Sequence, residues 1–514
     1  MLGLTDGGGT PLSKLRHLQL FAAAVAIAAM VVGLLAPSSR GVVAAQGAPS
    51  RPNIVFVLTD DLAWNLVTQR FMPHLAALEG EGATFTDYFV SDTLCCPSRA
   101  SIFTGRLPHD TGVYNNTGPN GGDKAFDSHG DQYSTVATDL SAIGYRTAMM
   151  GKYLNRYHMS TPTPPGWSNW DVADWGYPEF NYTLKQDNKV VHYGGPNEKA
   201  KDNYLTDVLS RLGDQFVANM ASRRPSQPFF LEVATFAPHA PYTPAPKYAH
   251  LYPGLKYPKT TAYGVANTAP PDWLKDLTKL GPKAQAQIAA DFRLRAQSVK
   301  SVDDLVASLV STLRRTGALA NTYFVFSSDN GLHMGEHDMM PGKLTAFDTD
   351  ARVPLIVVGP RVAAGSRVSA FAQNIDLRST FDALAGTEPN EGVDGRSLTP
   401  FLFKAKGTSA SLGWRQGALI EHMGPVQDLA DEPDFQEPNS GNPPSYVALR
   451  TAAALYVQYK NGEHEYYDLK KDPYELHNVY APLPAKVKSA LRAEVAQFVA
   501  CHNTPACSQV AAVT

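Results

Sequence analysis

Asn53-Ile54-Val55-Phe56-Val57-Leu58-Thr59-Asp60-Asp61 is the stretch on which the fold turns. From Ile54 to Leu58 every side chain is apolar, so neither face is suited to water. A short run of that kind is a strand buried on both sides, as in parallel sheets. The run ends in Thr59, Asp60 and Asp61, and Tyr323-Phe324-Val325-Phe326-Ser327-Ser328-Asp329-Asn330-Gly331 repeats the arrangement. Pro228 to Thr235 is a further strand-like run, and Ser134 to Ile143 and Ser298 to Arg314 look helical. Strands alternating with helices predict an α/β fold with a mostly parallel sheet, whose ligands gather beyond the carboxyl ends of its strands. Asp60, Asp61, Asp329 and Asn330 are therefore expected on one edge.

Outward from these strands, the Pro- and Gly-rich stretches Thr161 to Gly166 and Ala237 to Pro246 read as loops over that edge. After about Lys404 the pattern changes. Leu412 to Met423, Ser445 to Tyr459 and Glu463 to Leu469 are short strand-like runs separated by turns, and Ala485 to Val499 is helical. This predicts a smaller antiparallel subdomain at 405–514 after a large α/β domain at 50–404. Residues 1–45 read as a signal peptide: Lys14, Arg16 and His17 precede the apolar run Leu20 to Ala36, and the small residues Val43-Ala44-Ala45 suit a signal peptidase. A signal anchor is the competing expectation, because the run has 17 residues, the short end of the ~17 to 25 that span a bilayer. The body of the chain is expected to be exported, secreted or extracytoplasmic, and attached to a membrane only if that segment stays uncleaved.

The 514 residues, 44% hydrophobic and 18% charged, have a globular composition, with room for about three domains at ~150 residues each. Lys plus Arg number 45 against 48 Asp plus Glu; three of the cations and Asp6 lie within residues 1–45, leaving 42 against 47. Without a basic excess, nucleic acid is not an expected partner, and any anionic substrate must be met by local positive charge. Four cysteines are no disulfide scaffold in so long a chain. Cys501 and Cys507, with five residues between them near the C-terminus, are read as a disulfide, whereas the adjacent Cys95 and Cys96 are poorly placed to bridge each other.

The acidic clusters offer the hard oxygen ligands that Ca2+ or Mg2+ takes, although acidic pairs after strands also form turns and caps. Their meaning comes from Cys95-Cys96-Pro97-Ser98-Arg99-Ala100-Ser101-Ile102-Phe103-Thr104-Gly105-Arg106. This run resembles the sulfatase signature C-x-P-S-R-x-S-x-x-T-G, in which the first cysteine is oxidised after synthesis to Cα-formylglycine. The positions of Pro97 and Arg99 make Cys95, not Cys96, the residue so marked. The resemblance implies that an aldehyde hydrate offers one hydroxyl to attack sulfur and a second whose deprotonation expels sulfate, dividing one hard step into two. A metal lowers the hydroxyl's pKa and holds the sulfate oxygens, and Arg99 offers forked donors to the same centre. Ser98 would cap or hold the modified residue.

Carried over position by position, Asp60, Asp61, Asp329 and Asn330 match the family's Ca2+ ligands, with Ca2+ expected ahead of Mg2+ and the residue derived from Cys95 completing the set. Gly151-Lys152-Tyr153 makes Lys152 the sulfate-binding cation, and Ala237-Pro238-His239-Ala240-Pro241 makes His239 the proton donor or acceptor at the ester oxygen. Lys343, in Gly342-Lys343 ahead of Arg352-Val353-Pro354, matches the lysine at the leaving oxygen. Many relatives have His two residues after the first of these lysines; here Leu154 stands in that place, and Asn155 or His109 are candidates for part of its role.

The likeness runs from about Arg51 to Gln509 and includes Tyr467-Asp468-Leu469-Lys470-Lys471-Asp472-Pro473. The doubled cysteine, Gly151-Lys152-Tyr153-Leu154-Asn155, the His239 loop and the closing cysteine pair look most like the N-acetylglucosamine-6-sulfatase branch. That branch implies a sulfated aminosugar or glycan as substrate and a formylglycine-generating enzyme as maturation partner. It also implies an alkaline-phosphatase-like sandwich, a large mostly parallel mixed sheet between helices, with a small four-stranded antiparallel sheet at the C-terminus. Trp167, Trp170, Trp175, His422 and Tyr446 are candidates to bind a sugar, each of them also readable as fold-supporting. Two other functions fit the same residues. One is a phosphonate or phosphate ester hydrolase of the same superfamily, because tetrahedral phosphorus and sulfur oxyanions present similar shapes; the other is an inactive exported carbohydrate-binding protein, if Cys95 is never oxidised.

Overall fold

Asn53–Thr59 pairs in parallel with Phe229–Ala234 on one side and with Thr322–Ser328 on the other. Its side chains alternate between two cores, Val55 and Val57 on one face and Ile54, Phe56 and Leu58 on the other, which is why the run has no polar position. The structure is a computed structural model and describes residues 51–194, 201–390, 392–403, 412–426, 434 and 439–511. The expected signal segment and the expected boundary between 404 and 405 lie outside the described residues. Among those described, no helix is long and apolar enough to cross a membrane.

Arg146–Lys152 continues the parallel sheet beyond Phe229–Ala234, and Asn169–Ala173 extends it again. The margins turn antiparallel: Leu355–Val358 runs against Thr322–Ser328 and Ala83–Phe85, and Tyr182–Gln186 with Lys189–Tyr193 form a hairpin on the opposite edge. With Ser366–Val368 beside Ala83–Phe85 the sheet has ten strands. Helices Pro73–Glu81, Leu205–Arg223 and Pro282–Arg315 cover one face. Cys95–Thr104, Val136–Ala142 and Asp376–Ala385 cover the other.

The helix expected from Ser298 in fact begins at Pro282 and runs for 34 residues. Its start is local chemistry: Gly281 is extended and Pro282 supplies a preset φ where no amide donor is needed. The first half is rich in Ala, Gln, Lys and Arg, which favour helix without marking a core face, and only Ile288 and Phe292 reach the core before Arg295. The run expected as one strand, Ser445 to Tyr459, is two, Tyr446–Thr451 and Ala454–Tyr459, paired antiparallel. The turn between them is Ala452-Ala453, which carries none of the usual turn residues. With Gly417–His422 and His464–Asp468 these strands make the expected four-stranded sheet. Ala418, Ile420, Tyr446 and Leu455 on one face pack on Phe89, Phe347 and Phe371, while the other face meets Leu491, Val495 and Phe498 of the helix Ala485–Val499.

The end of the chain is fastened by the expected disulfide between Cys501 and Cys507 and by a histidine clasp. His109 Nε2 donates to the carbonyl of Cys501 at 2.8 Å while Nδ1 lies 2.9 Å from both oxygens of Glu421. This occupies the ring, and the structure does not bring His109 to Cys95, so of the two candidates for the absent histidine's role His109 is set aside. Burial opposes its charge, but Glu421 and Asp110 outweigh burial and raise its pKa to about 9. The clasp's contribution is therefore complete below the ordinary histidine pKa of ~6.5 and fades as pH rises through about 9. The expected result is a melting temperature that falls between those pH values in the native protein and falls less in His109→Gln. Equal slopes for the two proteins would contradict the clasp.

Candidate active site

Each central parallel strand carries polar residues at or just past its carboxyl end. Asp60 and Asp61 follow Thr59, Asp329 and Asn330 follow Ser328, the loop to His239 follows Ala234, and Lys152 ends its own strand. Asp61 holds φ at 61°, a left-handed backbone that costs a residue with a side chain energy and recurs at functional sites. Cys95 opens the helix Cys95–Thr104 directly over this edge. All the residues so far named here are buried.

Cys95 Sγ lies 3.2 Å from Asp60 Oδ1, 4.0 Å from Asp61 Oδ1 and 2.9 Å from Lys343 Nζ. Lys343 also donates to Asp61 Oδ1 at 2.7 Å, and Lys152 donates to Asp60 Oδ2 at 2.6 Å. Arg99 donates from Nε to Asp329 Oδ2 and from one terminal nitrogen to the Lys152 carbonyl, both at 2.8 Å. Its other terminal nitrogen is buried with no partner among the described residues. The Ser98 hydroxyl bonds elsewhere than to Cys95. It donates to the carbonyl of Asp329 and accepts from Asn374 Nδ2 at 2.9 Å, so it ties the helix to the second acidic strand.

Three residues that no sequence motif singled out, Asp434, Asn116 and Arg295, complete the site together with Asn155. Asp434 Oδ1 lies 2.6 Å from His239 Nε2, 2.5 Å from Lys343 Nζ and 3.9 Å from Cys95 Sγ. Its Oδ2 accepts from Asn116 Nδ2 at 2.5 Å and from Asn155 Nδ2 at 3.3 Å. Asn155 thus joins the site as one of its two candidates for the missing histidine's place, whereas Leu154 is buried in the core beside it. Arg295, from the long helix, donates to the backbone oxygens of Asp61 and Pro238. Asp434 belongs to no motif, and Asn116 and Arg295 are far in sequence from every group they serve, so only the fold assembles them.

Burial disfavours every charge here, and neighbours decide the outcome. It works against the ammonium groups of Lys343 and Lys152, but Asp434 and Asp61 for the first and Asp60 for the second hold both pKa values well above the usual lysine range. His239 is lifted to about 9 against burial by Asp61, Asp434 and Asp60. Its Nδ1 donates to the Ala240 carbonyl at 2.8 Å and its Nε2 faces Asp434, so the ring is an imidazolium. Burial, followed by Asp434 and Asp60, pushes the Cys95 thiol well above its usual range despite the lysines. The unmodified side chain is thus a neutral thiol and a weak nucleophile.

The donor set fits a hard divalent cation. Ligand atoms of Asp60, Asp61, Cys95 and His239 lie within 4.8 Å of one another. His239 has both nitrogens engaged as donors, which leaves the oxygens of Asp60, Asp61 and Asp329 and the buried Asn330 Oδ1, which has no partner among the described residues. An all-oxygen set of this kind suits Ca2+ or Mg2+. Beside it, Lys152, Lys343, His239, Asn116 and Asn155 surround one oxyanion position, held here by the carboxylate of Asp434.

Comparison with known proteins agrees with this geometry. The sulfatase family matches residues 52–387. Human N-acetylglucosamine-6-sulfatase is 33% identical over 497 residues, which span 91% of this chain and 88% of the human protein. A structure solved in complex with its substrate D-glucosamine-2-N,6-O-disulfate shares the fold with a TM-score of 0.70 at 23% identity, over 87% of this chain and 98% of the other. A phosphonate monoester hydrolase from Silicibacter pomeroyi shares it with a TM-score of 0.64 at 22% identity, over 87% and 94%. The family match, the relative spanning nearly both full lengths and the assembled site agree: the chain belongs to the sulfatase family of sulfuric ester hydrolases.

Proposed function

We infer that the protein is an exported sulfatase that hydrolyses O-sulfate esters of a sulfated aminosugar or of a glycan containing it, with formylglycine at Cys95 and Ca2+ held by Asp60, Asp61, Asp329 and Asn330. The observation that carries this is the single oxyanion position beside Cys95 Sγ, surrounded by Lys343, His239, Asn116 and Asn155 and bordered by Lys152. The human relative is named for an N-acetylglucosamine sulfate, and the structural neighbour was solved with a sulfated glucosamine. Export rests on the N-terminal targeting signature, and maturation on a formylglycine-generating enzyme acting at the Cys95 motif.

The formylglycine hydrate would supply a hydroxyl nucleophile and a second hydroxyl to release sulfate, and the cation would favour its ionised form. The chain's own residues do the rest. Lys343 and Lys152 offset the charge of the sulfate oxygens in a site closed to bulk water, where such contacts count most. His239, charged and oriented by the Ala240 carbonyl, presents its Nε2 proton at the oxyanion position and can deliver it to the departing alcohol. Arg99 keeps Asp329 in place, and one of its terminal nitrogens has no partner among the described residues. A carboxylate carries one negative charge, as does a sulfate ester. A phosphonate monoester does too, which is why substrate choice must be measured directly.

Enzyme with verified formylglycine should turn over N-acetylglucosamine 6-sulfate far faster than a phenyl phosphonate ester; the reverse preference would make it a phosphonate hydrolase. Cys95→Ala should lower kcat by at least ~10³-fold, a loss of the size seen when a covalent nucleophile is removed. Cys96→Ala should keep most of the activity, and an inverted result would move the modified position. Asp329→Ala should lose bound metal and turnover together, and full activity after exhaustive chelation would remove the metal from the mechanism. Asp434→Ala frees the oxyanion position of its internal occupant, so KM should fall several-fold with kcat little changed. A rise in KM would instead make Asp434 a substrate-binding group.

A further inference from the structure

A cavity of about 150 Å3 opens beside the catalytic centre, lined among others by Lys152, Leu154, Asn155, His158, Asp174 and Trp175. A void of that size is known to hold one six-membered ring. It shares Lys152 and Asn155 with the oxyanion position. Asn155 Nδ2 is 3.3 Å from Asp434 Oδ2, and the other oxygen of that carboxylate touches Lys343 and His239. Lys152 and Asn155 thus border both the oxyanion position and the cavity, which places the cavity next to where the organic part of a bound ester would lie.

Of the five sugar-binding candidates in the sequence, Trp170, His422 and Tyr446 are buried and Trp167 stacks on Phe230 in the core, whereas Trp175 is 40% exposed. Trp175 meets Tyr177 edge-on, with ring centres 5.3 Å apart and planes at 68°. Tyr177 in turn lies 4.7 Å from the His239 ring and beneath Lys152 Nζ at 4.9 Å. The indole is therefore positioned through Tyr177 from the catalytic groups themselves. A pyranose ring presents an apolar face of weakly positive C–H bonds, which suits the electron-rich face of an indole. Its hydroxyls need both donors and acceptors, and exposed His158 and half-buried Asp174 supply them at the rim.

We propose that this cavity is the sugar subsite and that Trp175 is the platform on which the ring bearing the scissile sulfate stacks. The proposal rests on the sulfatase function inferred above and adds the residue that recognises the sugar. Inorganic sulfate occupies only the oxyanion position and reports on it separately. Trp175→Ala is expected to raise KM for N-acetylglucosamine 6-sulfate about tenfold, to leave the inhibition constant of inorganic sulfate within twofold, and to be largely rescued by Trp175→Phe. An unchanged KM, or equal weakening of sugar sulfate and inorganic sulfate, would overturn the platform.

Binding without turnover distinguishes the two levels. In Cys95→Ala, titration with N-acetylglucosamine 6-sulfate should change tryptophan fluorescence saturably. The signal should vanish in Cys95→Ala/Trp175→Phe while calorimetry still shows binding, and binding itself should weaken about tenfold in Cys95→Ala/Trp175→Ala. Equal affinity in that last variant sinks the platform whatever the enzyme hydrolyses. Absence of turnover of any sulfate ester by enzyme with verified formylglycine sinks the sulfatase function even if the fluorescence responds.

Discussion

Asp60, Asp61 and Asp329 are buried side by side at the ends of parallel strands, and such anions are stable out of water only while cations lie against them. Lys152, Lys343, Arg99 and Arg295 supply that charge from a strand end, a loop and two helices. Removing one partner of a buried pair typically costs ~3 to 5 kcal/mol, because the other is left without compensation. The elements around the site are thus bound to one another through it. The same balance underlies the proposed function: among the described residues of a chain with an overall acidic excess, both buried lysines, Lys152 and Lys343, meet at one point, and a small anion is what that point suits.

How much of this was legible in the sequence follows from the range of each signal. The apolar runs before Asp60 and Asp329 announce strands buried on both faces, because parallel strands between helix layers have no wet side. Cys95, Pro97, Ser98 and Arg99 lie within one helical turn or so, and their spacing is what points to Cys95 rather than Cys96 as the position proposed to be modified. Lys152, His239 and Lys343 were placed through resemblance, and the fold brings all three to Cys95 and its neighbours. Asp434, Arg295 and Asn116 were not legible, since their roles exist only when segments hundreds or tens of residues apart meet. The long helix was underread because its first half carries helix-favouring polar residues rather than a periodic apolar face, and the Ala452-Ala453 turn because nothing in it marks a turn.

Leu154 shows where family pattern and this chain part. The position that many relatives give to histidine is apolar and buried here, and the neighbouring Asn155 reaches the oxyanion position instead. An amide can orient an anion but cannot carry its proton, and in the proposed mechanism that proton belongs to His239, whose Nε2 already faces the same position. The sugar side is organised from the same groups, with Trp175 held through Tyr177 against His239 and Lys152. Specificity and chemistry are therefore mechanically connected.

The central claim is that a neutral, deeply buried thiol at Cys95 is only a precursor and that its oxidised form does the chemistry. The most direct test is peptide mass spectrometry of the tryptic fragment ending at Arg99, from active enzyme made in its own host. The account predicts an aldehyde at Cys95 and an intact thiol at Cys96. Active enzyme in which Cys95 is wholly an unmodified thiol would contradict it.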